Sequence, residues 1–388
     1  MGEHRPTLVK PPPQDTSKAP IENALELTDL SIIGPDIYTN TRELWHPPGA
    51  RGIYGGAVIA QTLAAAQRTV PHNFVVHSFH CFFVLAGDSG TPILYHVERV
   101  RSGRSFATRT VQARQRGHAI FTVTCSFVRE GSGGAVAATH AAPMPAAAEP
   151  PPPDDYDATK DPEHPAGWFG DESSNSEAND EKKAPSPFES YRIRIGGGEG
   201  SRDVAGDEDD DEKEDAMSKL PPHAKKTRHW FRARGRISAG GGHQAHLSAL
   251  AYMSDSYFIG TVGRIHRLWR FPVAADDVET KLSPAQRARL ERLHRFEGHG
   301  GRRPLERFRG RPEIGMMVSL DHTIYFHNPK RVRADEWMLA EMESPWAGDG
   351  RGVVTQRIFA KDGTLLATCF QEGVVRLKQK GEKEKAKL

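Results

Sequence analysis

Runs rich in β-branched and aromatic residues, punctuated by glycine turns, divide much of this chain into short strand-like stretches. One series reads FVVHSFHCFFV (74–84), TPILYHVERVRSG (91–103), SFATRTVQARQRG (105–117) and AIFTVTCSFVRE (119–130). Gly-Asp-Ser-Gly, Ser-Gly and Arg-Gly turns separate the runs, so the pattern predicts an antiparallel meander. Ahead of it, AVIAQTLAAAQRTV (57–70) is built from good helix formers and predicts a helix. Gly55 and Gly56 precede that helix, and their lack of side chains permits a close backbone approach.

The same order recurs later. A second helix is predicted over HQAHLSALAYMSDSYFIGTVG (243–263), followed by GMMVSLDHTIYFH (315–327), DEWMLAEMESPWAG (335–348), GVVTQRIFAKDG (352–363) and TLLATCFQEGVVRL (364–377). Placing Thr124-Cys125 on Thr368-Cys369 brings Val76-His77 close to Leu320-Asp321 and QARQRG close to FAKDG. The agreement in order and spacing indicates an internal duplication of a helix wrapped by an antiparallel sheet, an α+β fold. In the second copy a charged insertion, about 278–310, separates helix from sheet. Within it, SPAQRARLERLHRF predicts a surface helix capped by Ser283 with Pro284 at its first position.

Domain boundaries follow from composition. Residues 1–20 read as a disordered N-terminus, 21–130 as the first unit, and 131–186 as a disordered linker. The second unit spans 187–377, with a disordered insertion at about 196–226 and a flexible tail at 378–388. Such Pro-, Gly- and acid-rich tracts lack the apolar surface to offset chain entropy. The acidic run Asp207–Asp215 reads as solvated loop. FESYRIRI, between two of these tracts, alternates as a half-exposed strand.

The totals exclude several functions. The chain has 388 residues, 37% of them hydrophobic, and a formal net charge of +2, which gives no bulk attraction to nucleic acid. No apolar run approaches the ~18 residues of a membrane span, and the N-terminus lacks the apolar core of a secretory signal. Cys81, Cys125 and Cys369 lie in apolar strand sequence without metal-ligand spacing, which implies buried thiols in a reducing compartment. No metal or cofactor is expected. The last three residues, Ala386, Lys387 and Leu388, are a close variant of the Ser-Lys-Leu peroxisomal address. They imply a peroxisomal import receptor as partner and the peroxisomal matrix as location.

Candidate chemistry lies in polar residues set in apolar surroundings, where an unpaired polar group costs about 1–3 kcal/mol. Asp255 is flanked by Met253, Tyr257 and Phe258. Ser319 stands inside a predicted strand. Gln371 occupies the place where the first copy has Ser126 or Phe127. There is no Gly-x-Ser-x-Gly elbow, no phosphate-binding Gly-rich loop framed by strand and helix, and no His-Glu-x-x-His.

Several segments, in order, resemble the type II acyl-CoA thioesterases, including their peroxisomal members. They are RGIYGGAVIAQTL, VHSFHCFFVLAGD, RVRSGRSFATRTVQARQRGHAIFTVTCSF, LAYMSDSYF, VSLDHTIYFH and GTLLATCFQEGVVR. The resemblance covers essentially all the ordered sequence. It implies a double hotdog, each half a helix wrapped by an antiparallel sheet. It also implies hydrolysis of acyl-CoA to fatty acid and coenzyme A by a water held by an Asp, a Thr or Ser, and a Gln. Carried over motif by motif, these are Asp255, Ser319 and Gln371. The family commonly has Gln where this chain has Ala57, which assigns catalysis to the second half. His77 resembles a family histidine and takes a supporting role. Backbone N–H groups near Gly55 and Gly56, or in the turn before His243, would hold the thioester oxygen. Arg101, Arg104 and Arg109, read as surface arginines, would meet the phosphates of coenzyme A. The rivals are a hotdog enoyl-CoA hydratase, of whose signature FHNPK is a fragment, and a non-catalytic acyl-CoA-binding protein. Acyl chain length and homo-oligomer formation are left open.

Overall fold

One unit, β-β-α-β-β-β-β, is written twice along the chain. A computed structural model describes residues 11–44, 52–146, 148–158, 160–161, 186–197, 219–271, 273–299 and 304–379. The first unit has helix α1 (Pro20–Leu25), β1 (Leu27–Asp29), β2 (Ile37–Asn40), α2 (Gly55–Gln67), β3 (Phe74–Phe83), β4 (Leu94–Ser102), β5 (Phe106–Gln115) and β6 (His118–Arg129). The second opens with β7 (Phe188–Gly196), β8 (Lys226–Ala233) and α3 (Gly242–Ser254). Three further helices follow, α4 (Gly260–Ile265), α5 (Val278–Lys281) and α6 (Pro284–Phe296). Strands β9 (Ile314–Ser319), β10 (Asp321–Phe326), β11 (Met338–Gly348), β12 (Arg351–Ala360) and β13 (Leu365–Leu377) complete it.

Among the described residues, thirteen strands join one sheet in the order β1-β2-β4-β5-β6-β3-β10-β13-β12-β11-β8-β7, with β9 also paired to β13. The two units meet where β3 pairs antiparallel with β10. Outward from that seam both halves run through equivalent strands in the same order. Phe79 stands opposite Cys125, and Ile324 opposite Cys369, so the register repeats as well. This is the double hotdog. The three cysteines are free and buried, as their apolar setting implies.

Helix α2 is buried on nearly every side, which explains why it shows no polar face. Ala57, Ala60, Ala65 and Ala66 keep it thin where α3 and the sheet close on it, while Ile59 and Leu63 fill the remaining volume. Each such large apolar side chain contributes about 1.5–3 kcal/mol by burial.

Two predicted elements are broken where the site is built. The helix expected over 243–263 ends at Ser254, Asp255 caps it, and Tyr257 takes the left-handed region at φ 59 before α4 begins. The strand expected over 315–327 divides at Leu320. There the Leu320 N–H donates to Glu372 O at 2.9 Å while its own carbonyl accepts from Phe83 N at 2.9 Å.

From Met144 on, the described part of 131–186, expected as a linker, lies against the sheet. Met144, Ala148 and Tyr156 pack on Trp230, Trp337 and Leu365. The indole N–H of Trp230 donates to Glu149 O at 3.1 Å, and Arg232 donates to Tyr156 O at 2.8 Å. The apolar surface that orders this segment belongs to the sheet, so composition of the segment alone could not report it. The N-terminal tract is likewise tied down from Asp15, whose N–H donates to Asn23 Oδ1 at 2.9 Å. Leu220, at the end of the tract 196–226, packs on Ile195. The acidic run Asp207–Asp215 and the terminal Ala386, Lys387 and Leu388 lie outside the described residues. Helix α6 begins as its sequence predicts, with Ser283 Oγ accepting from Gln286 N at 3.2 Å. One face of that helix is buried in a small core with Trp269, Leu290 and Phe308.

Candidate active site

A carboxylate at the C-terminal end of a helix faces that helix's own partial negative charge, which is unfavourable by a few tenths to ~1 kcal/mol. Asp255 occupies this position on α3. The compensation comes from the other half of the protein. Helix α2 starts directly against it, and the Gly56 N–H donates to the Asp255 carboxylate. The glycines permit this approach. A Cβ on Gly55 would stand 2.7 Å from Asp255 Oδ2, and one on Gly56 would stand 2.1 Å from Tyr252 O. Tyr54, at the N-cap, closes the same joint by donating its hydroxyl to Tyr252 O at 3.0 Å.

From the sheet side, Gln371 on β13 reaches the same carboxylate, its Nε2 donating to Asp255 Oδ1 at 2.8 Å. The Gln371 amide nitrogen also lies 3.1 Å from Nδ1 of His322 on β10. The other ring nitrogen of His322 is 3.0 Å from Ser254 Oγ, and the Ser254 hydroxyl donates to Ala251 O at 2.9 Å. Gln371 Oε1 is buried without a protein partner among the described residues. Burial raises the Asp255 carboxyl above its ordinary value, against the opposing effect of the Gln371 and Gly56 hydrogen bonds. Burial also pushes His322 down to about 3, so its ring is neutral at physiological pH.

Ser319 ends β9 opposite Gly373, two residues along β13 from Gln371. It is half-buried and diagonal to Gln371 on the pleat. Thus the fold brings Asp255, Gln371, Gly55 and Gly56 together and sets Ser319 beside them. His322, Ser254 and Tyr54 complete the cluster and were not singled out as site residues from sequence. A histidine in an otherwise apolar strand, next to Asp321, was the available signal for His322.

Other expected contributors fall elsewhere. His77 bonds Ser126 Oγ through Nε2 at 2.8 Å and packs its ring edge-on against Phe106. It lies five residues along β3 from Phe82, the register partner of Asp321, which is ~17 Å at 3.3–3.4 Å per residue. Arg109 is not a surface arginine. It is 1% exposed, and its guanidinium donates to Thr69 Oγ1, Thr69 O, Ser102 Oγ, Arg101 O and Thr108 O. Those donors are used to tie β4 and β5 to the segment after α2, leaving none aimed at a phosphate. Arg101 and Arg104 are exposed, near the turn joining β4 to β5. That turn lies beside the β3 terminus at Phe74, because Phe106 faces Val128 and Val75 faces Val128. The Asp255 cluster lies at the opposite terminus, ~26 Å along the strand, so neither arginine is placed to serve it.

The start of α3 offers no second anion hole. The turn before His243 is already filled by Glu22, which accepts from Ser238 N at 3.0 Å and from Ser238 Oγ at 2.6 Å. The first unit also has buried Phe127 near the place of Gln371. Among the described residues, duplication therefore left one such cluster, at the end where α2 meets α3.

Comparison with known proteins agrees with this architecture. Residues 42–128 match the Acyl-CoA thioesterase N-terminal domain family, and residues 153–375 match the Acyl-CoA thioesterase C-terminal domain family. The chain is 33% identical over 361 residues to acyl-coenzyme A thioesterase 8 of Rattus norvegicus, covering 92% of this chain and 90% of that one. It is 24% identical over 391 residues to the peroxisomal acyl-coenzyme A thioester hydrolase 1 of Saccharomyces cerevisiae, covering 92% and 96%. Among solved structures, an acyl-CoA thioesterase II from Mycobacterium marinum superposes with a TM-score of 0.55 at 26% identity, covering 94% of this chain and 99% of that one. With both of its halves matched in order, and with relatives aligned over nearly its whole length, the chain belongs to the type II acyl-CoA thioesterase family.

Proposed function

We propose that the protein hydrolyses acyl-CoA to a free fatty acid and coenzyme A, with water activated by Asp255, oriented by Gln371 and flanked by Ser319. The observation that carries this reading is the part-buried Gln371–Asp255 hydrogen bond at the start of α2. An amide orients the carboxylate without neutralising it, as a lysine or arginine would, so its basicity is retained. Asp255 takes a proton from water as the water oxygen forms its bond to the thioester carbonyl carbon. The tetrahedral oxyanion collapses, the C–S bond breaks, and the proton passes from Asp255 to the departing sulfur. With the Gly56 N–H engaged by Asp255 and the Ala57 N–H by Tyr54 O, the Gly55 N–H at the start of α2 is the backbone donor assigned to the oxyanion. No covalent acyl-enzyme is required, because the three buried cysteines lie in apolar strands, and Cys125 and Cys369 are held protonated by burial.

The test is release of free thiol from acyl-CoAs of increasing chain length. The full chain should release it, and Asp255→Ala should not, with an unchanged circular dichroism spectrum. Undiminished release by Asp255→Ala would overturn the assignment, and hydration of an enoyl-CoA without thiol release would favour a hydratase.

The same reading places the enzyme in peroxisomes, supported by the name of the yeast relative. An amino-terminal fluorescent fusion should co-localise with a peroxisomal marker and disperse when residues 386–388 are removed. Diffuse fluorescence from the intact fusion would contradict it.

A further inference from the structure

We infer that His322 is a positioning residue that decides which end of the Gln371 amide faces the reacting water. The inference rests on the roles proposed above for Asp255 and Gln371, and it adds a residue and a protonation state that those roles do not supply.

The argument follows the hydrogen bonds in order. Asp255 is anchored by the Gly56 N–H on one side and meets the Gln371 amide on the other. A carboxylate only accepts, so Gln371 must present its NH2 end to Asp255 Oδ1. The same nitrogen lies 3.1 Å from His322 Nδ1. Two donors cannot face each other, so Nδ1 must be bare and accept the second amide proton. A neutral imidazole with a bare Nδ1 carries its proton on Nε2. That proton points at Ser254 Oγ, 3.0 Å away. Ser254 is able to accept it because its own hydroxyl proton is directed to Ala251 O at 2.9 Å.

The chain of donors is therefore one-way, from Gln371 to His322 to Ser254 to the α3 backbone. Its far end fixes its near end. With both amide protons engaged, Gln371 Oε1 is left as the free acceptor, and it is buried without a protein partner among the described residues. An acceptor in that state is what a water needs while its other proton goes to Asp255. If the imidazole carried its proton on Nδ1, the amide would have to turn over. Its NH2 would then face the water, and its oxygen would face the Asp255 carboxylate. His322 is 0% exposed, with Phe258 edge-on to its ring and its carbonyl accepting from Cys81 Sγ, so it has no room to turn instead.

Two measurements on the full-length protein test this. Selective 15N-histidine labelling should show His322, assigned by its loss in His322→Asn, as the Nε2–H tautomer at neutral pH. A protonated Nδ1 overturns the proposal whatever the variants do. In the free-thiol assay, His322→Ala should lower kcat about 100-fold with KM changed less than about threefold, the cost of a misoriented catalytic group. His322→Asn, whose Oδ1 stands near the place of Nδ1 and accepts the same proton, should recover kcat to within about tenfold of the native enzyme. Equal losses in the two variants, or a native kcat in His322→Ala, overturn the proposal. Asp255→Ala is measured alongside. If that variant is fully active, the reading of the site itself fails. If it is inactive while His322→Ala is unimpaired, only the role of His322 fails.

Discussion

Gln371 Nε2 donates to Asp255 Oδ1 across 2.8 Å, joining the last strand of the second unit to the end of that unit's helix, 116 positions earlier in the chain. The bond lies where α2 of the first unit begins, so three separate segments must be in place before the carboxylate is oriented. Gln371→Ala should lower kcat/KM by about 10²–10³, the usual loss for one preorganised donor. Gln371→Glu should do something different. A second carboxylate at that distance cannot ionise beside the first, so the pair should retain a proton to higher pH. Steady-state kinetics over a pH series would show the acid limb of Gln371→Glu displaced upward from that of the native enzyme.

The native pH profile has a definite sign. Burial raises the Asp255 carboxyl above 3.8, and the proposed base works only when ionised. Activity should therefore fall as pH drops through the raised value, with the midpoint of the acid limb of kcat/KM above 3.8. A midpoint at or below the ordinary carboxylate range would show that Asp255 is not the titrating base.

The two glycines that open α2 should respond differently to alanine. At Gly55 the added methyl meets Asp255 Oδ2 at 2.7 Å and the Phe83 ring at 2.9 Å, both side-chain atoms. Gly55→Ala should fold and lose kcat, because the carboxylate is displaced. At Gly56 the methyl meets the Tyr252 carbonyl at 2.1 Å, and the backbone cannot step aside. Gly56→Ala should cost about 3 kcal/mol or more in urea unfolding. A Gly56→Ala protein as stable as the native one would mean that α2 and α3 are further apart than described.

Ser319 is tested by its hydroxyl. Its position opposite Gly373, diagonal to Gln371 on the same pleat, is what supports its proposed contact with the reacting water. Ser319→Ala should lose about tenfold or more in kcat, while Ser319→Thr, which keeps the hydroxyl, should stay within a few-fold of native. Native kcat in Ser319→Ala would remove the residue from the mechanism.

Stability should fall on mild acidification. His229, His294, His299 and His322 are buried, and burial depresses all four, to about 3 for His229 and His322 and well below 6.5 for the other two. Their folded values lie below their unfolded ones, so the unfolded chain binds more protons once pH drops under 6.5. Each should then remove on the order of 1.4 kcal/mol of stability per pH unit until its folded value is reached. Urea midpoints measured from pH 7 to pH 5 should fall steeply. A flat profile would mean that these imidazoles are hydrated in solution.

Much of the scaffold was readable along the chain because it depends on local period and on repetition. Both long helices, four strands of each unit and the duplicated Thr-Cys register could be found in this way. The strands that escaped had physical reasons for doing so. β1 and β2 are short, and β8 is buried on both faces. Arg228 in β8 bonds Glu341 at 2.7 Å, and Trp230 is covered by the segment at Glu149. No hydrophobic–polar alternation could mark a strand of that kind. The described part of 131–186 was missed for the converse reason, since what orders it is apolar surface supplied by other strands.

By itself the sequence determined that one unit was written twice, and that only the second copy holds a carboxylate, a hydroxyl and an amide in otherwise apolar elements. Tertiary structure decided which groups meet. Asp255 is oriented by the start of a helix from the other unit and by a strand more than one hundred residues away. It also separated Arg101, Arg104, Arg109 and His77 from the cluster, and it added His322 to it. Periodicity reports which face of an element is buried. It carries no information about which other element covers that face, because a hydrogen bond between distant segments exists only after the chain has closed.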